Sequence, residues 1–162
     1  LPISAQIANG GHKIYPQIVL SNESKKDDKF KPLIQKKINI KLIQDAMLSS
    51  TNEPRGTSFK SRIDDPKYQF AGKTGTAQVK RITKKDRELD LDTSEIPYEE
   101  RDHALYIAFG PYKSPRYAVS ILVEHGGSGS SVAAPLAKKL FKKIIDRHEI
   151  RKNFETNKYL NI

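Results

Sequence analysis

The chain of 162 residues has no cysteine and no tryptophan, a single methionine, and no long apolar run. Without cysteine it forms no disulfide and offers no thiol chemistry, so any reactive groups are oxygens and nitrogens. Without a stretch of about 20 apolar residues it writes no transmembrane helix. Its first residue is Leu1 and it carries no secretory leader pattern, which leads to the expectation that it was excised or processed from something longer. The four histidines show no HExxH spacing, so no metal and no cofactor is expected. The length suits one core and one domain.

What the chain has in excess is positive charge, with 29 Lys and Arg against 19 Asp and Glu and a net charge of +10. Such a balance raises a basic binding module for nucleic acid or an anionic polymer as an alternative function class. The charge is dispersed, however, over 25–37, 80–87 and 138–158, with acids interleaved and no run of aromatics on which bases would stack. That pattern reads as solvated faces, and no nucleic-acid partner is expected.

Hydrophobic patterning gives an α+β order of elements. Ile14 to Leu20 alternates like a short strand, with Pro16 pointing to an edge or irregular position. A charged loop follows over 21–37. Asn39 is placed to cap a helix carrying Ile40, Ile43, Ala46 and Met47 on one face, which Ser49 to Gly56 would end. Ala104 to Phe109 and Tyr117 to Val123 are apolar on both faces and flank the turn-forming Gly110-Pro111-Tyr112-Lys113-Ser114-Pro115, predicting a hairpin of two central strands. Val132, Leu136, Leu140 and Ile144, widened by Phe141 and Ile145, predict a helix stripe, with Pro135 in the first turn. Gly126 to Ser131 before it reads as a turn and helix cap rather than a nucleophile elbow or anion site. Residues 147–162 read as a polar, frayed tail, and the polar span 83–102 as either a functional loop or an insertion without a role.

The chemistry concentrates in Ala71-Gly72-Lys73-Thr74-Gly75-Thr76-Ala77-Gln78. On a strand, alternation sends Lys73 and Gly75 to one face and Thr74 and Thr76 to the other, and the glycine admits a second backbone. A cation beside two hydroxyls suits a carboxylate. Val79, Ile82 and Thr83 extend the strand pattern, so the motif is expected to open a strand that runs on past it. A phosphate loop is disfavoured, because Lys67 stands where its first glycine belongs and no helix pattern follows. Taken alone, these four residues fit an ordinary strand equally well.

The segment Asp65 to Val79 resembles the third active-site motif of the penicillin-recognising transpeptidases with its lead-in. Arg101 to Tyr112 and Ala118 to Gly129 are similar to the paired strands that follow it in the class B penicillin-binding proteins, especially the elongation-specific D,D-transpeptidases. Pro2 to Gly11 is similar to the segment ahead of the motif. These segments occur in the family's order over most of residues 1–146. The resemblance implies an antiparallel sheet packed between helices, in the penicillin-binding protein and serine β-lactamase manner, incomplete in this chain. Residues 1–146 would be the C-terminal portion of the domain.

The same resemblance assigns the site. Lys73 would keep it electropositive and bond a Ser-x-Asn group; the hydroxyls of Thr74 and Thr76 would hold the carboxylate of a peptidoglycan stem peptide or a β-lactam across Gly75. The backbone N–H of Thr76 would be one oxyanion donor. The family's nucleophile lies in Ser-x-x-Lys, and no serine here has lysine three residues on, so the chain alone should not acylate. Ser50-Thr51-Asn52 matches Ser-x-Asn in letters but in the wrong order along the chain, and takes no role. The parent is expected at the periplasmic face of the bacterial inner membrane, with a glycosyltransferase and elongation-complex proteins as partners. Three strands of a five-stranded sheet would leave surface open, from which self-association of the fragment is expected.

Overall fold

The computed structural model describes residues 2–14, 16, 36–81 and 91–160, with side chains to residue 152. Helix α1 spans Pro2–Ala8 and α2 Lys37–Asn52; strand β1 follows at Ala71–Ala77, then β2 at His103–Gly110, β3 at Tyr117–Val123, and helix α3 at Ala134–Leu160. Short 3-10 turns sit at Phe59–Ser61 and Tyr98–Glu100, and a π-helical turn at Gly129–Ala133 leads into α3.

The strands form one antiparallel sheet in the order β1-β2-β3, with Ala71 opposite Phe109 and Ala77 opposite His103 in the first pair, and Ala104 opposite Val123 in the second. Because side chains alternate, one face gathers Tyr106, Ala108 and Val119 and the other Ala71 and Phe109. The first face packs on the π turn and α3 through Ala133, Ala137, Phe141 and Ile145, with Phe70 stacked on Phe141 at 4.8 Å between centroids. The second packs on α1 and α2 through Ile7, Ile43, Met47 and Leu48. Helices therefore cover both faces, the expected α+β arrangement. Fully buried alanines at 104, 108, 133, 134 and 137 bring helix and sheet close.

Several local expectations are corrected. Asn39 does not cap α2: its N–H bonds the carbonyl of Lys36 inside the first turn, and Lys36, extended and without a side-chain cap bond, is the cap residue. The buried face of α2 is Ile40, Met47 and Thr51, while Ala46 is exposed. On α3 the stripe winds differently. A row taken every fourth residue drifts round a helix of 3.6 residues per turn, so Leu136 and Leu140 are each 41% exposed and Ala134, Ala137, Phe141 and Ile145 face the sheet. The hairpin forms, but β3 is not central; among the described residues it is an edge, with Leu122 57% exposed.

The strand carrying the motif ends at Ala77 and does not continue through Val79. Over residues 147–160 the polar segment is helical, a continuation of α3. Ser128 begins the π turn without a side-chain cap bond, its Oγ instead 3.0 Å from Ser130 Oγ. The Ile14–Leu20 strand and most of the 21–37 loop fall outside the described residues, as does 82–90 of the polar span. At the turn between β2 and β3, Tyr112 donates to Asp45, and Lys41 reaches both Asp45 Oδ1 at 2.7 Å and Tyr112 Oη at 3.0 Å, tying α2 to the hairpin. Among the described residues no helix is long and apolar enough to cross a membrane.

Candidate active site

β1 has one neighbour, β2, and among the described residues no strand on its other edge. Along it Ala71 and Gly72 are buried, Thr74 and Gly75 half-buried, and Lys73 and Thr76 exposed, so the motif passes from core to surface within six residues. The cross-strand partners confirm the expected alternation: Lys73 and Gly75 lie opposite Ile107 and Leu105, Thr74 and Thr76 opposite Tyr106 and Ala104. Yet Lys73 and Thr74 meet. The Lys73 Nζ turns back to the Thr74 carbonyl at 3.0 Å and to Thr74 Oγ1 at 3.3 Å, which puts an ammonium and a hydroxyl together at the open edge, a pair suited to a carboxylate.

Two close approaches fix this strand. A side chain on Gly72 would begin 2.3 Å from Tyr106 Oη. The phenol sits there because Thr51 Oγ1 is 2.9 Å and Ser58 Oγ 3.0 Å away, a buried set of hydroxyls joining the end of α2, the following loop and β2 beneath the motif. Burial holds the Tyr106 hydroxyl above its ordinary pKa, so it remains a neutral donor. At the other contact, a Cβ on Gly129 would lie 2.5 Å from the carbonyl oxygens of both Gly75 and Leu105. The π turn thus rests backbone-on-backbone over the motif, but the glycine that permits this is Gly129; a Cβ on Gly75 would meet only the Leu105 side chain, at 3.3 Å, so the approach expected at Gly75 is made possible from the other side.

Around Thr74 the loop after α2 adds more hydroxyls. Thr57 Oγ1 lies 3.3 Å from Thr74 Oγ1 and 3.2 Å from Ser50 Oγ. Ser50-Thr51-Asn52 is structural in its remaining members: Thr51 is buried in the Tyr106 set, and Asn52 donates to the carbonyls of Leu48 and Phe70, both at 3.0 Å. The residues overlooked in sequence are Thr51, Thr57, Ser58 and Tyr106. For Thr51, Thr57 and Ser58 the available signal was the density of hydroxyls over residues 49–61, ahead of the motif; nothing local marks Tyr106 as their partner.

The histidines also behave unexpectedly. His103 and His125, far apart in sequence, pair with each other across the sheet end, the His125 N–H donating to His103 Nδ1 at 2.9 Å. Among the described residues no group of three or more His, Asp or Glu is placed to hold a metal ion.

A sheet between helices with a Lys-Thr-Gly-Thr edge strand defines a class, and the comparisons with known proteins agree on it. The family described as "Penicillin binding protein transpeptidase domain" matches residues 2–142. The chain belongs to that family. Among curated relatives, Peptidoglycan D,D-transpeptidase MrdA of Salmonella typhimurium is 37% identical over 105 residues, covering 65% of this chain and 16% of the relative. The MrdA of Acinetobacter baumannii is 32% identical over 145 residues, covering 85% of this chain and 20% of the relative. Among solved structures, the complex between Penicillin-Binding Protein (PBP2) and MreC from Helicobacter pylori aligns with a TM-score of 0.71 at 31% identity, over 90% of this chain and 24% of that one. Pseudomonas aeruginosa PBP2 in complex with WCK 5153 aligns at 0.63 and 29%, over 87% and 28%. The chain spans 16% to 20% of the length of these curated relatives.

Proposed function

We propose that this chain supplies the carboxylate-binding wall of a peptidoglycan D,D-transpeptidase that cross-links stem peptides through a serine acyl-enzyme and is acylated by β-lactams. The observation that carries this reading is the meeting of Lys73 Nζ and Thr74 Oγ1 at 3.3 Å on an open strand edge, in a chain of the penicillin-binding family. Lys73 supplies positive charge, and the hydroxyls of Thr74 and Thr76 receive the substrate carboxylate. The Thr76 N–H is one donor to the oxyanion of the tetrahedral intermediate, worth about 3 kcal/mol in such sites. The nucleophile and the second donor come from the parent's remaining sequence, since no Ser-x-x-Lys lies in this chain.

The relatives' named activity supports a place for the parent. An enzyme that joins peptidoglycan strands works outside the cytoplasmic membrane, here the periplasmic face of the inner membrane. The H. pylori PBP2 relative forms a complex with MreC, which supports elongation-complex partners for this parent, alongside the glycosyltransferase that makes the strands to be joined.

Thr74 provides the test. In the full-length parent, Thr74→Val removes one charge-assisted hydrogen bond of about 1.5–3 kcal/mol, a roughly ten- to hundredfold loss in second-order acylation by a carboxylate-bearing β-lactam. Thr74→Ser keeps the hydroxyl and retains most of the rate. Equal rates for valine and wild type would reduce Thr74 to a strand residue and remove the site.

A further inference from the structure

Thr74 can donate to a carboxylate only if its single proton is not spent inside the protein. A threonine hydroxyl has one proton and two acceptor positions. In this structure Lys73 Nζ, which is donor only, occupies one acceptor position at 3.3 Å, and Thr57 Oγ1 stands 3.3 Å away with Ser50 Oγ 3.2 Å behind it. If Thr57 donates to Thr74, both acceptor positions are filled and the proton of Thr74 is forced outward. If Thr74 donates to Thr57 instead, the proton is consumed internally and the site presents only a lone pair, which repels a carboxylate.

We propose that Thr57 is a positioning residue for Thr74, and that Ser50, Thr57 and Thr74 form a directed chain of hydroxyls whose outer proton is delivered to the ligand carboxylate; this rests on the functional reading above. The carboxylate is a stronger acceptor than a hydroxyl, so its arrival selects the order Ser50 to Thr57 to Thr74 to ligand. All three protons are then donated in one direction. Distances of 3.2 and 3.3 Å exceed the usual 2.7–2.8 Å for hydroxyl pairs, leaving slack that the aligned chain takes up. The loop is held in place for this work. Ser58 N–H and Oγ both donate to the Ser50 carbonyl, at 3.0 and 3.1 Å, and Gly56 N–H donates to Glu53. That clamp turns the chain back over the end of α2 and presents Thr57 to the strand.

The experiment measures second-order acylation of the full-length parent by a β-lactam carrying its free carboxylate and by the matching ester. Thr57→Val is expected to slow acylation by the free acid roughly three- to tenfold, the loss of one neutral hydrogen bond, while the ester rate is unchanged. Thr57→Ser restores the free-acid rate, and in a Thr74→Val background Thr57→Val has no further effect. Thr57 is exposed, so the variant is expected to melt with wild type. Equal slowing of acid and ester, or full additivity with Thr74→Val, would show a merely structural role and overturn the proposal. A normal rate for Thr57→Val beside a slow Thr74→Val overturns it while leaving the carboxylate site intact; normal rates for both remove the site itself.

Discussion

The two halves of β1 are built for different ends. Ala71 and Gly72 are enclosed, one against Phe109 and Met47, the other against the Tyr106 phenol with Thr51 and Ser58 around it. Lys73 to Thr76 stand at the open edge, where two are exposed and two half-buried. The enclosed half has packing on both faces and every hydroxyl answered; the open half keeps polar groups available. The contrast shows how six consecutive residues can be both anchored and reactive: stiffness comes from the neighbour that is buried, and chemistry from the one that is not.

Three substitutions sharpen that contrast, beginning with the severest. Gly129→Ala forces a methyl to within 2.5 Å of two backbone oxygens, and neither strand can yield without losing register. A loss of roughly 3 kcal/mol or more in the unfolding of the parent's transpeptidase domain is expected, as for overpacked cores, measured by denaturant titration. A stability unchanged from wild type would mean that the π turn does not bear on the motif. The next change, Tyr106→Phe, removes the phenol from two hydroxyl partners and should cost about 1–2 kcal/mol at neutral pH. The folded Tyr106 has a raised pKa through burial, so its contribution is fully present below the ordinary tyrosine value of about 10 and is lost as pH rises through the folded value. The phenylalanine variant therefore should approach wild type in strongly alkaline solution, and a constant gap at all pH would contradict the buried phenol.

Asp45→Asn is the mildest. Its carboxyl is held below the ordinary range chiefly by the hydrogen bond from Lys41, then by that from Tyr112, but the group is exposed and solvent screens it. The sign is opposite to that of Tyr106: a lowered pKa stabilises above the unfolded value of about 4 and the benefit disappears as pH falls through the folded value. A small gap between aspartate and asparagine at neutral pH, closing in acid, is expected in thermal melts. A gap that widens in acid would exclude the pair as its source.

How much of this was legible depended on whether the information was local. The motif Lys73 to Thr76 and its alternation could be read, because period is a property of the strand itself, whereas the glycine that lets a second backbone in is Gly129, much further along the chain, and not Gly75. The hairpin was legible from apolar runs around a proline-rich turn. The stripe on α3 was read in part: Phe141 and Ile145 face the sheet as expected, while Leu136 and Leu140 drew attention where the sheet required alanines, the helix sitting too close for larger side chains at 134 and 137. The start of α2 was missed since Lys36 caps by backbone conformation alone. The hydroxyl set of Thr51, Ser58 and Tyr106 spans up to 55 positions in sequence, and no local pattern brings such residues together.

The contact between Gly129 and Gly75 also has a mechanical side. Side-chain contacts are compliant, because rotamers absorb small displacements, whereas peptide planes in direct touch transmit them. α3 starts one residue beyond the π turn and runs 27 residues, about 40 Å at 1.5 Å per residue. Its first turns are pinned to the sheet by Ala137, Phe141 and Ile145, and the peptide that carries the Gly75 carbonyl touched by Gly129 also carries the Thr76 amide, so the seating of the helix on the sheet and the position of that amide share one rigid contact.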